Sequence, residues 1–119
     1  MLIQSFENMH SKRQKKIALP EATEVRYVSI DDIIFCRSSN SYTTFSIKGV
    51  GPITVSKPIG EYEFLLEPYG FIRTHQSFLV NKNRILSYKK EDGGYLLMEG
   101  GEQVLLSRQR KHLLRELFI

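Results

Sequence analysis

Cysteine is almost absent from this sequence, and long apolar runs are missing. Cys36 is the only cysteine among 119 residues, so an intramolecular disulfide or a multi-cysteine zinc site is excluded and a reducing, cytoplasmic setting is expected. Its place in a short apolar run predicts a core position. No apolar run approaches the roughly 18–20 residues of a bilayer-spanning helix, and residues 1–16 lack the pattern of a secretory signal. A membrane-spanning protein is therefore not expected.

Length and composition are those of one globular domain. The chain is 41% hydrophobic and 25% charged, which excludes the disordered and fibrous classes. A chain of this length can bury about two-thirds of its unfolded surface in a single core. Because the globular pattern begins near Ile17, we predict a basic linker or arm over residues 1–16 and one folded domain over residues 17–119.

Acidic residues are missing from two basic stretches, residues 71–90 and 107–115. The whole chain has 17 basic and 13 acidic residues and a net charge of +4. Such segregation can build a positive face that attracts phosphate backbones through counterion release. The same charges can also belong to solvated loop tips that point in different directions, and charge alone leaves both interpretations open.

Short alternating or β-branched segments predict a mainly β domain with two short helices. The predicted strands cover residues 24–28, 33–36, 42–48, 53–56, 85–89, 95–98 and 103–106. The glycine pairs at residues 93–94 and 100–101 predict hairpin turns between the last three strands. One helix is predicted to begin after Pro58 and to stop at Pro68, and the other covers residues 110–118.

No group of residues predicts an active site. The histidines His10, His75 and His112 lie in separate segments, so a metal site that uses all of them is not expected. Asp31 and Asp32 are adjacent and would point to opposite faces of a strand, so they are better explained as a turn or helix start. We therefore predict no enzymatic activity, no cofactor and no metal.

Residues 71–85, FIRTHQSFLVNKNRI, interleave apolar positions with groups that can contact DNA. The guanidinium of Arg73 can donate two parallel hydrogen bonds, and the amide of Gln76 can pair with adenine. The imidazole of His75 can donate or accept a hydrogen bond. A short loop that carries these groups can enter a major groove about 12 Å wide.

This segment resembles the signature of the LytTR family, the DNA-binding domains of bacterial response regulators. Residues 71–85 match its pattern F-x-R-x-H-x-S-[FY]-x-V-N-x-x-x-I throughout. DDIIFCRSSNSYTTF, residues 31–45, resembles the family's strand-turn-strand segment, and VLLSRQRKHLLREL, residues 104–117, resembles its last strand and terminal helix. The three matches span the chain from about residue 17 to residue 119 in the family's order.

The resemblance implies small packed antiparallel sheets whose loops enter successive major grooves. Contacts to bases and phosphates are then expected from Asn40, Tyr42, Arg73, His75, Gln76 and Arg108, and charge and position add Lys82, Arg84 and Lys111 as phosphate contacts. It also implies paired direct repeats in double-stranded DNA, a homodimer on DNA, and an upstream phosphoryl-accepting receiver. A chain of 119 residues has no room for that receiver, so we expect a fragment or a member that lacks it.

Several of these residues also have a structural explanation. Arg73 can form an ion pair, with Glu67 as the suggested partner, and His75 can hold a turn through its ring nitrogens. Tyr42 can serve in packing, and Asn81 is interpreted as a residue that caps or turns the backbone. Core positions are expected for the aromatic residues Phe71, Phe78 and Tyr88.

We therefore predict sequence-specific binding of double-stranded DNA in transcriptional regulation. Basic groups position the domain on phosphates, and Gln76, Arg108 and His75 read base edges. Two other functions stay open: a β-rich module that stacks RNA or single strands on Tyr and Phe, and a protein-interaction module whose positive face meets an acidic partner.

Overall fold

The computed structural model describes residues 15–117, which form ten strands and two α-helices. The strands are β1 (Lys16–Pro20), β2 (Val25–Ser29), β3 (Ile33–Ser39), β4 (Tyr42–Ile47), β5 (Gly51–Val55), β6 (Phe71–His75), β7 (Phe78–Asn81), β8 (Ile85–Lys89), β9 (Tyr95–Met98) and β10 (Gln103–Leu105), and the helices are α1 (Ile59–Leu66) and α2 (His112–Leu117). The predicted class, mainly β with two short helices, is confirmed. Within the described range, neither helix has the length and apolar character needed to cross a bilayer.

The strands form three antiparallel sheets. A five-stranded sheet has the order β5-β4-β3-β7-β6, a three-stranded sheet the order β10-β9-β8, and β1 pairs with β2 alone. Because β7 lies antiparallel to both β3 and β6, the end of β3 and the turn between β6 and β7 lie at the same end of the five-stranded sheet. This placement brings together segments that are far apart in the sequence.

The five-stranded sheet has a buried core on each face, since successive side chains of a strand point to opposite sides. On one face, Cys36 and Phe45 pack with α1 and with the β1–β2 hairpin, and the Phe45 ring meets the Tyr62 ring edge-on at 4.7 Å between centroids. On the other face, Phe35 and Val80 pack with the three-stranded sheet and with α2. Cys36 is fully buried, as predicted.

Proline and glycine set the limits of α1. Pro58 stands directly before the helix, and Glu61 lies in its first turn, where the helix dipole favours negative charge. Beyond the helix, Gly70 adopts φ 89°, in the left-handed region that favours glycine, and the chain turns there into β6. The buried face of α1 follows helical spacing and consists of Ile59, Tyr62 and Leu66.

Three local features differ from the sequence-based expectations. β1 was not predicted as a strand; it begins at Lys16, the Lys15 carbonyl before it accepts from the Ile30 amide at 2.8 Å, and residues 1–14 of the predicted arm lie outside the described residues. Residues 71–81 form two paired strands, β6 and β7, joined by a tight turn. Tyr88 was expected in the core, and it lies opposite the buried Leu96, but it is 36% exposed because β8 is an edge strand of the three-stranded sheet.

Candidate nucleic-acid interface

Three connecting segments lie side by side at one end of the five-stranded sheet. We call them together the loop edge: the β3–β4 turn (residues 39–42), the β6–β7 turn (residues 75–78) and the segment after β10 (residues 106–111). The Ser38 amide donates to the Ser77 carbonyl at 2.8 Å and thereby joins the first two. The Thr74 hydroxyl donates to the Leu105 carbonyl at 3.0 Å, and the Ser107 amide donates to the Thr74 carbonyl at 2.8 Å. Backbone hydrogen bonds therefore fix the relative positions of the three segments.

The sequence segments of the loop edge and their flanks contain basic residues and no acidic ones. From other elements, Glu63 pairs with Arg73, and Glu21 and Glu102 line surface grooves with Tyr42 and Arg37. Residues 37–44, 74–82 and 105–115 contain no Asp or Glu. Arg37 and Arg108 are exposed, and neither forms an ion pair with another residue of the described part of the chain. These segments therefore have an excess of positive charge, which favours contact with phosphates.

In the β3–β4 turn, Asn40 and Tyr42 are both exposed. Residues 40–41 form a two-residue hairpin turn, and Asn40 adopts φ 56°, a left-handed conformation that asparagine tolerates better than most residues. The left-handed backbone therefore explains the asparagine at position 40, whether or not its side chain also contacts DNA. Tyr42 lines a groove together with Glu21, Ala22 and Lys57.

His75 and Gln76 lie at the tip of the β6–β7 turn. The Ser77 amide donates to His75 Nδ1 at 3.0 Å, and the imidazole stands 6.0 Å from the Phe78 ring between centroids. Because Nδ1 accepts, the neutral ring carries its proton on Nε2, which is then a hydrogen-bond donor. Gln76 is exposed beside it. The structural role suggested for His75 is therefore present, and it leaves a donor on the other nitrogen.

The guanidinium of Arg73 is occupied by other groups of the protein. Its Nη1 donates to a Glu63 carboxylate oxygen at 2.6 Å, its Nε donates to the His75 carbonyl at 3.0 Å, and its Nη2 donates to the Gln76 carbonyl. The ion pair suggested by the sequence exists, but the partner is Glu63 on α1 and not Glu67. Arg73 thus fastens the β6–β7 turn to α1.

Lys82 and Arg84 lie beyond the other end of β7, away from the loop edge. Arg84 donates to the Asp31 carbonyl through Nε and Nη2, at 2.9 and 2.7 Å, and to a Glu99 carboxylate oxygen through Nη1 at 2.8 Å. The Lys82 amide donates to the Gly70 carbonyl at 3.0 Å. Arg84 is therefore not brought together with the other predicted contacts, whereas Lys82, although outside the loop edge, lines a cavity together with Arg73 and Arg110.

The segment after β10 is a short 3-10 turn, Arg108–Arg110, that leads into α2. Arg110 anchors it to β6, because its Nη1 donates to the Arg73 carbonyl at 2.8 Å. Arg108 is exposed on this anchored turn, as predicted, and Lys111 is half-buried next to it.

Comparison with known proteins establishes which family this chain belongs to. The sequence model of the LytTr DNA-binding domain matches residues 23–119. This chain belongs to the LytTR family. Its structure is similar to that of the LytTr DNA-binding domain of a putative methyl-accepting/DNA response regulator from Bacillus cereus, with a TM-score of 0.73 and 25% identity over 86% of this chain and 94% of that one.

A curated relative of the LytTR domain is the Sensory transduction protein LytR of Staphylococcus saprophyticus. The two are 28% identical over 78 residues, which is 66% of this chain and 30% of that protein. This chain therefore spans less than a third of the length of the relative. Family membership identifies the chain as a DNA-binding domain of transcription regulation.

Most of the signature segment of this LytTR domain has a structural role. Phe71 and Phe78 are buried, as predicted. Asn81 is also buried: its Nδ2 donates to the Ile33 carbonyl at 3.0 Å and its Oδ1 accepts from the Asn83 amide at 3.1 Å, which confirms the predicted backbone cap. The segment therefore builds the β6–β7 hairpin and presents few side chains outward.

Sequence reasoning missed Arg37, a basic residue of the LytTR domain that adjoins the loop edge. It lies on β3 opposite Thr44 and Phe78, and its side chain is exposed. The signal was present, since Arg37 is the first charged residue after the apolar run at residues 33–36 and stands just before the polar turn. Among the described residues, no cluster of three or more His, Cys, Asp or Glu is arranged to hold a metal ion.

Proposed function

We propose that this LytTR domain binds double-stranded DNA sequence-specifically through the loop edge. The observation that carries the proposal is the joining of three segments by hydrogen bonds at one end of a sheet, with basic and amide side chains and no acid among them. The proposed contact residues on this edge are Asn40, Tyr42, His75, Gln76, Arg108 and Lys111, and Arg37 beside it is added to them.

Base reading is proposed for Arg108 and Gln76. An arginine fork matches the two acceptors of guanine and a glutamine amide matches adenine in the major groove, each worth about 1–3 kcal/mol of discrimination. His75 donates through Nε2 to a base acceptor or a phosphate. Arg37 and Lys111 neutralise phosphates and fix the register of the domain on the duplex.

Arg73 is proposed to act as a positioning residue. A contact between its guanidinium and DNA would require breaking the 2.6 Å ion pair with Glu63 and the bonds to the turn carbonyls. Arg84 joins the five-stranded sheet to the β9–β10 hairpin in a comparable way. Lys82 stays a candidate phosphate contact outside the loop edge.

The regulatory setting is a further part of the proposal. The curated relative that this chain matches over 30% of its length is a sensory transduction protein. We propose that the domain serves in the cytoplasm as the output domain of a two-component response regulator, whose receiver controls its binding. Two protomers then occupy paired direct repeats in the DNA.

Selection from a random duplex pool at near-physiological salt, with the chain of residues 1–119, tests the proposal. We expect a defined sequence to be enriched. Arg108→Ala should then lose about 1–3 kcal/mol of binding free energy on that sequence and relax the preference at one base pair. Lys90→Ala, which removes the same charge from an exposed position on the β8–β9 connection, is the matched control and should keep the preference.

Three results would count against this function. No enriched duplex sequence would leave only a weak basic surface. Effective competition by single strands of the selected sequence would favour the stacking module, because a duplex reader discriminates against them. An equal loss for Arg108→Ala on every sequence would make Arg108 a phosphate contact and not a base reader.

A further inference from the structure

The outer side of α1 presents apolar side chains bordered by acidic ones. Phe64 is 80% exposed and Leu65 51% exposed, and Tyr69 follows just after the helix. Glu61 precedes this pair by three and four residues, so it lies on the same side of the helix. Residues 58–72 contain Glu61, Glu63 and Glu67 and no basic residue. We call Glu61, Phe64, Leu65 and Tyr69 the acidic helix face.

An apolar groove with a basic side chain in its lining lies between β8 and α2. It has a volume of about 430 Å³ and is lined mainly by Ile85, Leu86, Tyr88, Leu96, Leu114 and Arg115. Leu86 is 60% exposed on its rim, Arg115 is the basic residue of its lining, and Lys89 and Lys90 follow Tyr88 in the sequence. No acidic residue occurs from residue 82 to residue 90; the nearest in sequence are Glu91 and Asp92 in the turn beyond β8 and Glu116, which follows Arg115 on α2. We call this the basic groove.

The two surfaces lie on opposite sides of the five-stranded sheet. α1 packs on the core of one face, whereas β8, β9, β10 and α2 cover the core of the other. A single molecule therefore cannot place its own helix face in its own groove. A two-fold symmetric pair joins identical patches, whereas these two patches differ, so a contact between them is head-to-tail.

We propose that the acidic helix face of one copy of this chain docks into the basic groove of a second copy. Phe64 and Leu65 enter the apolar groove, and Glu61 meets the positive charge of Arg115, the basic residue that lines it. Charge complementarity favours this occupant, since two acidic helix faces repel each other and the groove repels the basic loop edge. The contact buries, in one step, the most exposed apolar side chains of both surfaces.

A head-to-tail contact has a consequence for DNA that rests on the proposed function. Copies joined in this way share one orientation, and the contact does not close on itself at two copies. Neighbouring copies on a duplex are therefore expected to bind cooperatively when their sites point in the same direction.

Two substitutions of exposed side chains disable one surface each. Phe64→Ser removes the centre of the acidic helix face, and Leu86→Ser removes a wall of the basic groove. Tyr27→Ser changes a 67% exposed residue of β2 outside both surfaces and is the matched control. In sedimentation velocity of the full chain, the unsubstituted protein and Tyr27→Ser should associate as concentration rises. Phe64→Ser alone and Leu86→Ser alone should stay monomeric.

Mixing the two defective variants tests the head-to-tail geometry directly. An equimolar mixture offers an intact groove on Phe64→Ser and an intact helix face on Leu86→Ser, so it should form dimers and nothing larger. The proposal is overturned if the mixture stays monomeric, or if either variant alone associates as the unsubstituted chain does.

DNA binding separates the failure of this contact from the failure of the proposed function. On a duplex with two selected sites in the same direction, the second copy should bind about tenfold more tightly than the first. Phe64→Ser and Leu86→Ser should abolish this tenfold gain in affinity for the second copy and leave the affinity for a single site unchanged. Unchanged cooperativity in the variants would overturn the contact, whereas absence of single-site binding by the unsubstituted chain would overturn the proposed function.

Discussion

The two ring nitrogens of His75 have separate hydrogen-bonding roles. Nδ1 accepts from the Ser77 amide and holds the turn, and Nε2 is left as a hydrogen-bond donor. Substitutions can separate these roles, because the side-chain oxygen of asparagine can take the place of Nδ1 and the longer glutamine amide reaches the place of Nε2.

We expect His75→Asn to keep the folded stability and to lose about 1–3 kcal/mol of specific DNA affinity. His75→Gln should instead lose about 1 kcal/mol of unfolding free energy, because the Ser77 amide is left without its acceptor, and should keep more of the affinity. Urea unfolding and titration with the selected duplex measure both quantities. A parallel loss of stability and affinity in both variants would mean that His75 acts only through the turn.

At single residues, the sequence predicts whether a side chain is exposed better than it predicts which groups of the protein that side chain binds. Arg108 stands in a stretch without acids, and the structure leaves it exposed. Arg73 and Arg84 were also predicted to contact DNA, but each binds a carboxylate of the protein. Their carboxylate partners lie 10 and 15 positions away in the sequence, on elements that only the fold brings near. Glu63 rather than Glu67 faces Arg73, a choice that depends on how α1 is placed against β6.

Among the elements, α1 and the β6–β7 turn are connected by Arg73. Arg73→Ala removes the ion pair and both bonds to the turn carbonyls, so we expect a loss of about 2–3 kcal/mol of unfolding free energy. Its DNA affinity should fall on all sequences, because the turn that carries His75 and Gln76 is less well held. Urea unfolding and duplex selection are the measurements.

Glu63→Gln is the control for this element, since it removes the charge partner and leaves the bonds from Arg73 to the turn. It should lose less stability than Arg73→Ala and keep nearly all of the DNA affinity. A changed base preference in Arg73→Ala would show that Arg73 itself reads a base, as the family resemblance implies.

Elements with local boundary signals are predictable, and their order in the sheets is not. Pro58 and the glycine pairs at residues 93–94 and 100–101 delimit α1 and the β8–β10 strands, and these predictions are confirmed. The insertion of β7 between β3 and β6 depends on pairing between distant segments, which leaves no local mark. β1 was missed because it has only one fully buried residue, Leu19, and begins within a basic stretch.

For the whole molecule, two buried ionisable groups couple stability to alkaline pH. Burial raises the pKa of the Cys36 thiol, and burial, with smaller contributions from the charges of Glu61 and Cys36, raises the pKa of Tyr62. In the unfolded chain both groups ionise at their ordinary pKa, about 8.5 for a thiol. Their stabilising effect is therefore complete below the unfolded pKa and is lost as the pH rises above it.

The free energy of unfolding should accordingly fall between pH 8 and pH 10, with a slope of up to about 1.4 kcal/mol per pH unit from the thiol alone. Urea titrations in reducing buffer at several pH values measure this slope. Cys36→Ala should start from a lower stability at pH 7, because it leaves a small cavity, and should lose less of it on the way to pH 10. An equal slope in the variant would show that thiol ionisation contributes nothing.

Because Cys36 is buried, the folded chain presents no thiol at its surface that could react with thiol reagents. The only cysteine lies in the core beneath α1, and these reagents need an accessible thiolate. A cysteine introduced at an exposed position such as Gln109 would then be the sole reactive sulfur on the outside. A fluorophore or cross-linker attached there would report on the loop edge alone, without background from the rest of the fold.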